Sequence, residues 1–146
     1  MVAVALEAVR CPAPELAKGP SLSDRVSRLL ERVDYRRADT PAEREAIYRL
    51  RYAAYLREGA IPADPSERFS DSLDETGNAL IFGVHVDGEL ASSIRLHIAT
   101  PAQPQMPALN VFADLLSPLL AAGRTVIDPT RFVADRMASR RSAWGR

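Results

Sequence analysis

Cysteine is nearly absent from this chain of 146 residues, in which Cys11 is the only one. A single cysteine excludes an internal disulfide framework and a cysteine-based zinc site. Long hydrophobic runs are also missing, because no stretch approaches the about 18 consecutive apolar residues that a membrane-spanning helix needs. The first nine residues contain Glu7 and lack both the basic start and the cleavage site of a signal peptide. We therefore expect a cytoplasmic protein without a membrane span.

An excess of charge of either sign is absent as well. The 19 basic and 19 acidic residues give a formal net charge of +0, which excludes the broad positive surface of a nucleic-acid or anionic-membrane binder. Lysine is almost missing, since Lys18 is the only one and the remaining basic residues are arginines. Arginine stays charged when buried and can hold a carboxylate through two nitrogens, so each arginine in an apolar pattern is a candidate for an internal ion pair.

The residues that are present suffice for one folded domain. Apolar residues make up 47% of the chain, and this length is ordinary for a single hydrophobic core. Three prolines and a glycine between residues 10 and 20 prevent regular structure there. We predict a flexible leader over residues 1–20, a folded domain over 21–135 and an irregular tail over 136–146.

Local signals position the helices and strands of that domain. Thr40 as N-cap, with Glu43 as its capping-box partner, predicts a helix that runs to about Glu58. An earlier short helix is predicted with Ser21 or Ser23 as its cap. Further along the chain we predict strands over 33–38, 78–86, 89–99 and 124–134, with a hairpin turn at Asp87-Gly88. We also predict a helix over 111–120 that is broken near Pro118, and a bulge or splayed point at Pro129 in the last strand.

The predicted hairpin has two different faces. One face is apolar and consists of Leu80, Phe82, Val84, Val86, Ile94, Leu96 and Ile98. The other carries His85, Ser93, Arg95 and His97, and is either a solvated sheet surface or the lining of a cleft. We expect the two histidines to face each other as a cross-strand pair rather than as metal ligands, because a clear third ligand is missing.

Three positions stand out as candidates for chemistry. Arg51 lies within the apolar stripe of the Thr40 helix, where its guanidinium either has a carboxylate or anionic partner or reaches water at the edge of the stripe. Asp71 and Asp74 are three residues apart in a long polar loop, and they either receive an arginine or ammonium group together or belong to an acidic surface loop. Asp128 and Arg131 flank the predicted bulge. They are either an acid and an arginine at a strand edge, which the spacing alone favours, or part of a site where amides released from the ladder donate to a carbonyl or oxyanion.

Taken together, five segments resemble the acyl-homoserine-lactone synthases and, more closely, the bacterial N-acyl amino acid synthases of the GNAT-like acyltransferase superfamily. The resemblance implies an α+β, sandwich-like fold, of which this chain is the N-terminal half, with a mixed, mainly antiparallel sheet flanked by helices. The resembling segments are YRLRYAAY (48–55), DSLD (71–74), ASSIRL (91–96), Met106-Pro107 with Phe112, and IDPTRFVAD (127–135).

The family implies transfer of a fatty acyl group from an acyl carrier protein thioester, or from acyl-CoA, to the amine of an amino acid or similar small molecule. No bound cofactor or metal is implied. By resemblance, Asp128 is the catalytic general base, although the autoinducer synthases usually have Glu there. The three arginines and two aspartates of the substrate-binding set can form a charge network that closes the loop over a pocket. The substrate-binding residues that the resemblance implies are Arg51, Tyr55, Asp71, Asp74, Arg95 and Arg131.

Beyond about Arg141 the sequence no longer resembles the family. We therefore expect the N-terminal portion of a synthase, truncated or frame-shifted, with little or no activity as the isolated chain. A sheet that ends at its fourth strand has an open edge, through which we expect a homodimer to form. The alternatives are an acetyl-CoA-dependent N-acetyltransferase, which would need a Gly-rich pyrophosphate loop after the fourth strand, and a non-enzymatic dimerisation or binding module.

Overall fold

Three helices and four strands make up the part of the chain that the computed structural model describes, residues 19–135. The predicted tail, and the predicted leader up to residue 18, lie outside the described residues. None of the helices within 19–135 has the length and apolar character needed to cross a bilayer. In chain order the elements are α1 (Leu22–Leu30), β1 (Val33–Arg37), α2 (Pro41–Arg57), a 3₁₀ turn (Ser72–Glu75), β2 (Ala79–Val86), β3 (Glu89–Ala99), α3 (Leu109–Ala121) and β4 (Val126–Ala134).

The four strands form one antiparallel sheet in the order β1-β2-β3-β4. The hairpin between β2 and β3 turns at Asp87 and Gly88, which have φ values of 53° and 84°. Two successive residues with positive φ match the right-handed twist of a tight hairpin. The mainly antiparallel α+β fold expected from the sequence is confirmed.

Helix α2 begins as its sequence predicts. The Thr40 side chain accepts a hydrogen bond from the Glu43 amide, and the Glu43 carboxylate accepts one from the Thr40 amide, so two otherwise unpaired N–H groups are satisfied. The helix buries one face over the sheet, and its apolar contact there joins Ile47 and Tyr48 to Ala38 and Ile81. This packing holds α2 across the sheet surface that carries the site.

The polar face of the hairpin is the buried one. Ser93, Arg95 and His97 are exposed by 0%, 1% and 0%, which rules out a solvated sheet surface. Every buried strand residue lies on this face, under α2, the 3₁₀ turn and α3. The sequence predicts the two alternating faces correctly. The face that the helices and the 3₁₀ turn cover is, however, the one with the charged residues and not the apolar one.

The register of the hairpin corrects the expectation that His85 and His97 face each other. His85 lies opposite Leu90, whereas His97 lies opposite Ala79 near the other end of the hairpin. A tight turn at residues 87 and 88 pairs residues by their distance from the turn, so histidines at unequal distances cannot meet. Among residues 19–135 no group of three His, Cys, Asp or Glu residues has the geometry of a metal site.

The bulge in β4 and the irregularity in α3 lie at other positions than the sequence predicts. Pro129 pairs in regular register with Leu96. The bulge in β4 lies after Pro129, at the point where the pairing with β3 shifts register between Ser93 and Arg95. Proline is tolerated there because β4 is an edge strand of the described sheet, so the position without an N–H can face away from β3. In α3 the backbone leaves helical values at Phe112 (φ −122°, ψ 34°), and the helix continues through Pro118.

The cap of α2 provides a test of the fold. Thr40→Ala removes the acceptor for the Glu43 amide, and we expect it to lower the free energy of unfolding by about 0.5–2 kcal/mol in chemical denaturation. Thr125→Ala, at an exposed position before β4, is the matched control and should change it by less than about 0.5 kcal/mol. Equal effects of the two substitutions would contradict the capping role.

Candidate functional site

Three arginines and two aspartates form a continuous chain of ion pairs between α2, the 3₁₀ turn and the sheet. Arg51 Nη1 donates to Asp74 Oδ1 at 2.8 Å. Arg95 Nη1 donates to the same oxygen at 3.0 Å and to Asp71 Oδ1 at 2.6 Å. Arg131 Nε donates to Asp71 Oδ2 at 3.0 Å, and its Nη2 contacts that oxygen as well. We call these five residues the arginine network.

The 3₁₀ turn holds both aspartates in place. Asp71 is its N-cap, and its Oδ1 accepts from the Leu73 amide at 3.0 Å. Asp74 Oδ2 accepts from the Asp71 amide at 2.9 Å. The three-residue spacing therefore turns the two carboxylates to one side, where they receive the arginines.

Burial settles the alternatives that the sequence left open. Arg51 is exposed by 0% and Asp74 by 1%, so an arginine reaching water and an acidic surface loop are both wrong at these positions. Three guanidinium groups and two carboxylates give the five residues of the network a formal charge of +1. Arg51 Nε and Nη2 are buried and have no hydrogen-bond partner among the described residues. The Tyr48 ring, 5.5 Å from Arg51 Cζ, offers a partial counterpart through a cation–π contact.

Aromatic rings surround the outer end of the network. The Tyr55 and Phe69 rings meet edge to face at 4.9 Å, and Arg131 Cζ lies 4.9 Å from the Phe69 centroid and 6.0 Å from that of Tyr55. Tyr55 was predicted here. Phe69 and Tyr48 were missed, although Phe69 is the only aromatic residue between 59 and 76, and Tyr48 lies one turn before Arg51 on α2.

Asp128 lies beside the network but does not belong to it. It pairs with His97 in the sheet register, and Thr130, two residues on, pairs with Arg95 and accepts a hydrogen bond from Arg95 Nε at 3.2 Å. Asp128 Oδ2 accepts from the Ala108 amide at 2.9 Å. This hydrogen bond orients the carboxylate at the start of α3, and its role as general base stays a prediction.

His97 is a buried member of the site that its sequence position did not reveal as such. Its Nε2 lies 3.1 Å from the Leu73 carbonyl oxygen, and its Nδ1 is buried without a partner among residues 19–135. Burial lowers the pKa of His97 below its ordinary value of 6.5, and the nearby charge of Arg95 acts in the same direction. A neutral imidazole therefore joins β3 to the 3₁₀ turn.

The electrostatics keep the outer ion pair charged. Burial of Asp71 opposes its ionisation, but hydrogen bonds from Arg95 and Arg131 outweigh this effect and lower its pKa from 3.8 to about 2. Burial likewise opposes the charge of Arg131, and its hydrogen bonds to Asp71 nevertheless raise the pKa of the guanidinium. The pair of Asp71 and Arg131 is therefore ionised at neutral pH.

Two clefts flank α2. One of about 270 Å³ lies between β1, α2 and β2 and has a mostly apolar lining. The other, of about 320 Å³, is more polar and reaches the network through Asp74. Arg95, Arg131 and Asp128 line neither of these two clefts.

Comparison with known proteins identifies the family. The structure of FeeM, an N-acyl amino acid synthase from uncultured soil microbes, matches with a TM-score of 0.59 at 22% sequence identity and covers 77% of this chain. The family model for the N-acyl amino acid synthase FeeM matches residues 46–144. The chain belongs to the FeeM family of N-acyl amino acid synthases. The resemblance noted from the sequence is thereby confirmed.

The match to the FeeM structure covers 59% of that chain. The portion shared with it therefore spans less than two thirds of the length of the solved FeeM-family structure. No curated protein matches the chain. The matched residues 46–144 include all seven site positions predicted from the sequence.

The carboxylate of Asp74, which Arg51 and Arg95 share, gives a prediction for the stability of this FeeM-family chain. Asp74→Asn leaves Arg51 and Arg95 buried without that charge, and we expect it to lower the free energy of unfolding by about 3–5 kcal/mol. Asp34→Asn is the matched control, because Asp34 pairs with Arg36 at the surface with more than half of each side chain exposed and should cost at most about 1 kcal/mol. Chemical denaturation measures both. A similar small loss in the two variants would contradict a structural role of the buried pair.

Asp71 gives a second prediction, for the pH dependence of stability. Because its pKa is lower in the folded chain, at about 2, than its ordinary 3.8, the folded state binds this proton less readily than the unfolded state. Its stabilising contribution is therefore present above about pH 3.8 and is lost as the pH falls towards 2. We expect Asp71→Asn to flatten the unfolding free energy in this pH range, measured by denaturation at each pH. Asp114→Asn, at an exposed site on α3, should keep the wild-type slope.

Proposed function

We propose that the arginine network and Asp128 form the acceptor side of an N-acyltransferase site. In the proposed reaction a fatty acyl group passes from an acyl carrier protein thioester to the amine of an amino acid or a similar small molecule. The observation that carries the proposal is an arginine network of formal charge +1 on the polar face of the sheet, buried at its inner end and partly exposed at Arg131 and Asp71, in a chain of the FeeM family. A buried cationic group of this kind favours a substrate that brings its own anionic group.

The proposed chemistry needs two proton transfers and one bond exchange. The acceptor arrives as an ammonium ion and must lose a proton before its nitrogen can attack. We assign that proton to Asp128, directly or through a water molecule. The nitrogen lone pair then forms the amide bond with the thioester carbonyl carbon and the C–S bond breaks. The nitrogen gives up its second proton, and the departing sulfur takes up that proton to leave as a thiol.

The other predicted site residues bind and position the acceptor. Arg51, Arg95 and Arg131 supply positive charge for a carboxylate, while Asp71 and Asp74 hold the arginines in place and join the loop to the sheet. Tyr55 supports Arg131 through the face of its ring. These side chains act through binding and orientation, and the proton is moved by Asp128.

The proposal also names the acyl donor, the partners and the cellular location of the reaction. The acyl donor is a co-substrate, acyl-ACP or acyl-CoA, and the site uses no bound cofactor or metal. We place the protein in the cytoplasm, with acyl carrier protein and a small amine as its partners and no nucleic acid. We also expect little or no turnover from the isolated chain of 146 residues.

Ligand binding tests the acceptor site independently of turnover. The full chain is titrated with a panel of amino acids and with the corresponding decarboxylated amines, and its melting temperature is followed. We expect amino acids to raise the melting temperature of the wild-type chain and the amines to leave it unchanged, because only the former carry a carboxylate. Arg131→Met should abolish the shift, and Arg124→Met, at an exposed arginine before β4, should retain it. Absence of any shift with wild type would overturn the proposed acceptor site.

Product analysis tests the reaction itself. The chain is incubated in excess with a fatty acyl thioester of acyl carrier protein and the best-binding amino acid, and N-acyl amino acid is sought by mass spectrometry. Product that disappears in Asp128→Asn would support the acyltransferase and the base, and would contradict the expected inactivity of the isolated chain. Product formed equally well by Asp128→Asn would exclude Asp128 as the base.

Two alternative functions can be distinguished from this proposal by their products. An acetyl-CoA-dependent N-acetyltransferase would form product from acetyl-CoA and leave the fatty acyl thioester unused. A non-enzymatic module would bind a partner and form neither product. Self-association through the outer edge of β4 belongs to this second class, and Pro129, which offers no N–H for strand pairing, weakens that edge as a docking place.

A further inference from the structure

His97 is a buried histidine to which the proposed reaction gives no role. It is exposed by 0% and lies on the covered face of β3, two residues after Arg95. Its Nε2 lies 3.1 Å from the Leu73 carbonyl oxygen, and its Nδ1 is buried without a hydrogen-bond partner among residues 19–135. A buried polar atom without a partner is uncommon in a folded protein and calls for an explanation.

The Leu73 carbonyl determines which imidazole nitrogen carries the proton. A carbonyl oxygen only accepts hydrogen bonds, so Nε2 must hold the hydrogen that it donates to Leu73. Burial lowers the pKa of His97, and the charge of Arg95 acts in the same direction, so the ring stays neutral. In a neutral imidazole with its proton on Nε2, Nδ1 has a free lone pair. Nδ1 is therefore an acceptor that requires a donor.

The strand register places Asp128 beside this acceptor. Asp128 lies directly opposite His97 on β4, and the Cβ atoms of directly opposite residues are about 4.5–5.5 Å apart on one face of the sheet. The negative charge of Asp128 acts on the His97 ring, where it opposes the effect of burial on the pKa. An ionised carboxylate has only acceptor atoms and cannot donate to Nδ1, whereas a protonated carboxyl group can.

The contacts of Asp128 leave one of its oxygens for that proton. Oδ2 accepts from the Ala108 amide at 2.9 Å, and a hydrogen bond of this kind favours the ionised form of the oxygen that receives it. A proton taken up by Asp128 therefore belongs on Oδ1. We propose that His97 is a positioning residue for Asp128, whose carboxyl group donates a hydrogen bond to His97 Nδ1 once it has taken up a proton.

This role rests on the proposed function, in which Asp128 takes a proton from the acceptor ammonium ion. The N–H bond breaks, an O–H bond forms on Asp128, and the nitrogen keeps the electron pair with which it attacks the thioester. The new O–H donates to His97 Nδ1, and no proton moves to the imidazole. A hydrogen bond that only the protonated carboxyl group can make favours that form, so it makes Asp128 a stronger base. Asp128 returns its proton to solvent after the acyl transfer.

NMR spectroscopy of the ¹⁵N-labelled full chain tests the pair in the resting protein. The chain has two histidines, so His85→Gln assigns the imidazole signals. We expect His97 to carry its proton on Nε2 in the wild-type chain. Asp128→Asn imitates the protonated carboxyl group because its amide is a donor, and we expect it to move the Nδ1 resonance of His97 upfield, as acceptance of a hydrogen bond does. Asp128→Ala offers no donor and should produce no such shift.

The other cross-strand pair of a histidine and an aspartate provides the matched control. His85 lies opposite Asp34 on β1, and the Asp34 carboxylate accepts from Arg36 Nε at 2.6 Å. Asp34→Asn makes the same chemical change away from His97, and the His97 resonances should stay in place. An equal shift of the His97 Nδ1 resonance in Asp34→Asn and Asp128→Asn would contradict a specific hydrogen bond.

A double-mutant cycle measures the same hydrogen bond through stability. His97→Gln keeps an amide donor for the Leu73 carbonyl but has no acceptor at the position of Nδ1. We expect Asp128→Asn to melt above Asp128→Ala by a margin that is about 2–4 °C larger in the wild-type background than in His97→Gln. The hydrogen bond from the Ala108 amide is present in both backgrounds, so its contribution cancels.

Any one of three results would overturn the proposal: a His97 proton on Nδ1, an Nδ1 resonance that Asp128→Asn leaves in place, or a cycle without coupling. His97 would then only join β3 to the 3₁₀ turn through Leu73. Failure of the proposed function appears in a different measurement, because amino acids would then leave the melting temperature of the wild-type chain unchanged. That result would not alter the NMR signature of the pair.

Discussion

The carboxylate of Asp74 is the interaction on which the rest of the site depends. One of its oxygens receives both Arg51 and Arg95, and the other receives the Asp71 amide. A buried arginine is tolerable only when a charge and hydrogen bonds compensate for its lost hydration. Helix α2, the 3₁₀ turn and strand β3 are thus joined through a single side chain. This explains why a sheet face rich in polar residues can be the covered face.

Local chemistry accounts for the parts of the fold that the sequence predicts well. The capping box of Thr40 and Glu43 and the turn at Asp87 and Gly88 involve residues within four positions of each other, so their conformation depends little on the rest of the chain. The choice of covered face is different, because alternation defines two faces but does not say which one meets α2. That choice depends on Arg51 and Arg95 meeting an aspartate more than 20 residues away in the sequence.

The residues of the site also divide into those that the sequence predicts and those whose place depends on distant contacts. Arg51 stands out from the sequence alone, because a cation in an apolar stripe requires compensation, and the predicted set of arginines and aspartates does meet in the structure. Phe69 and His97 were not assigned to it, since their contacts with Arg131 and with the Leu73 carbonyl follow from how the loop folds back. The sequence predicts the bulge at Pro129, because proline disrupts strands. In the paired strands the bulge lies instead at Arg131, where φ is 55°.

The position of the network in the sequence has a consequence for the order of folding. Its hydrogen bonds join residues 23, 24 and 60 positions apart, whereas the α2 cap and the hairpin turn need only neighbouring residues. Closing such loops costs chain entropy before any contact repays it. The helix and hairpin can therefore form early, while the last arginine joins only after β4 has paired. Completion of the network therefore depends on the pairing of β4, and the entropy of closing these long loops is part of the cost of assembling the site.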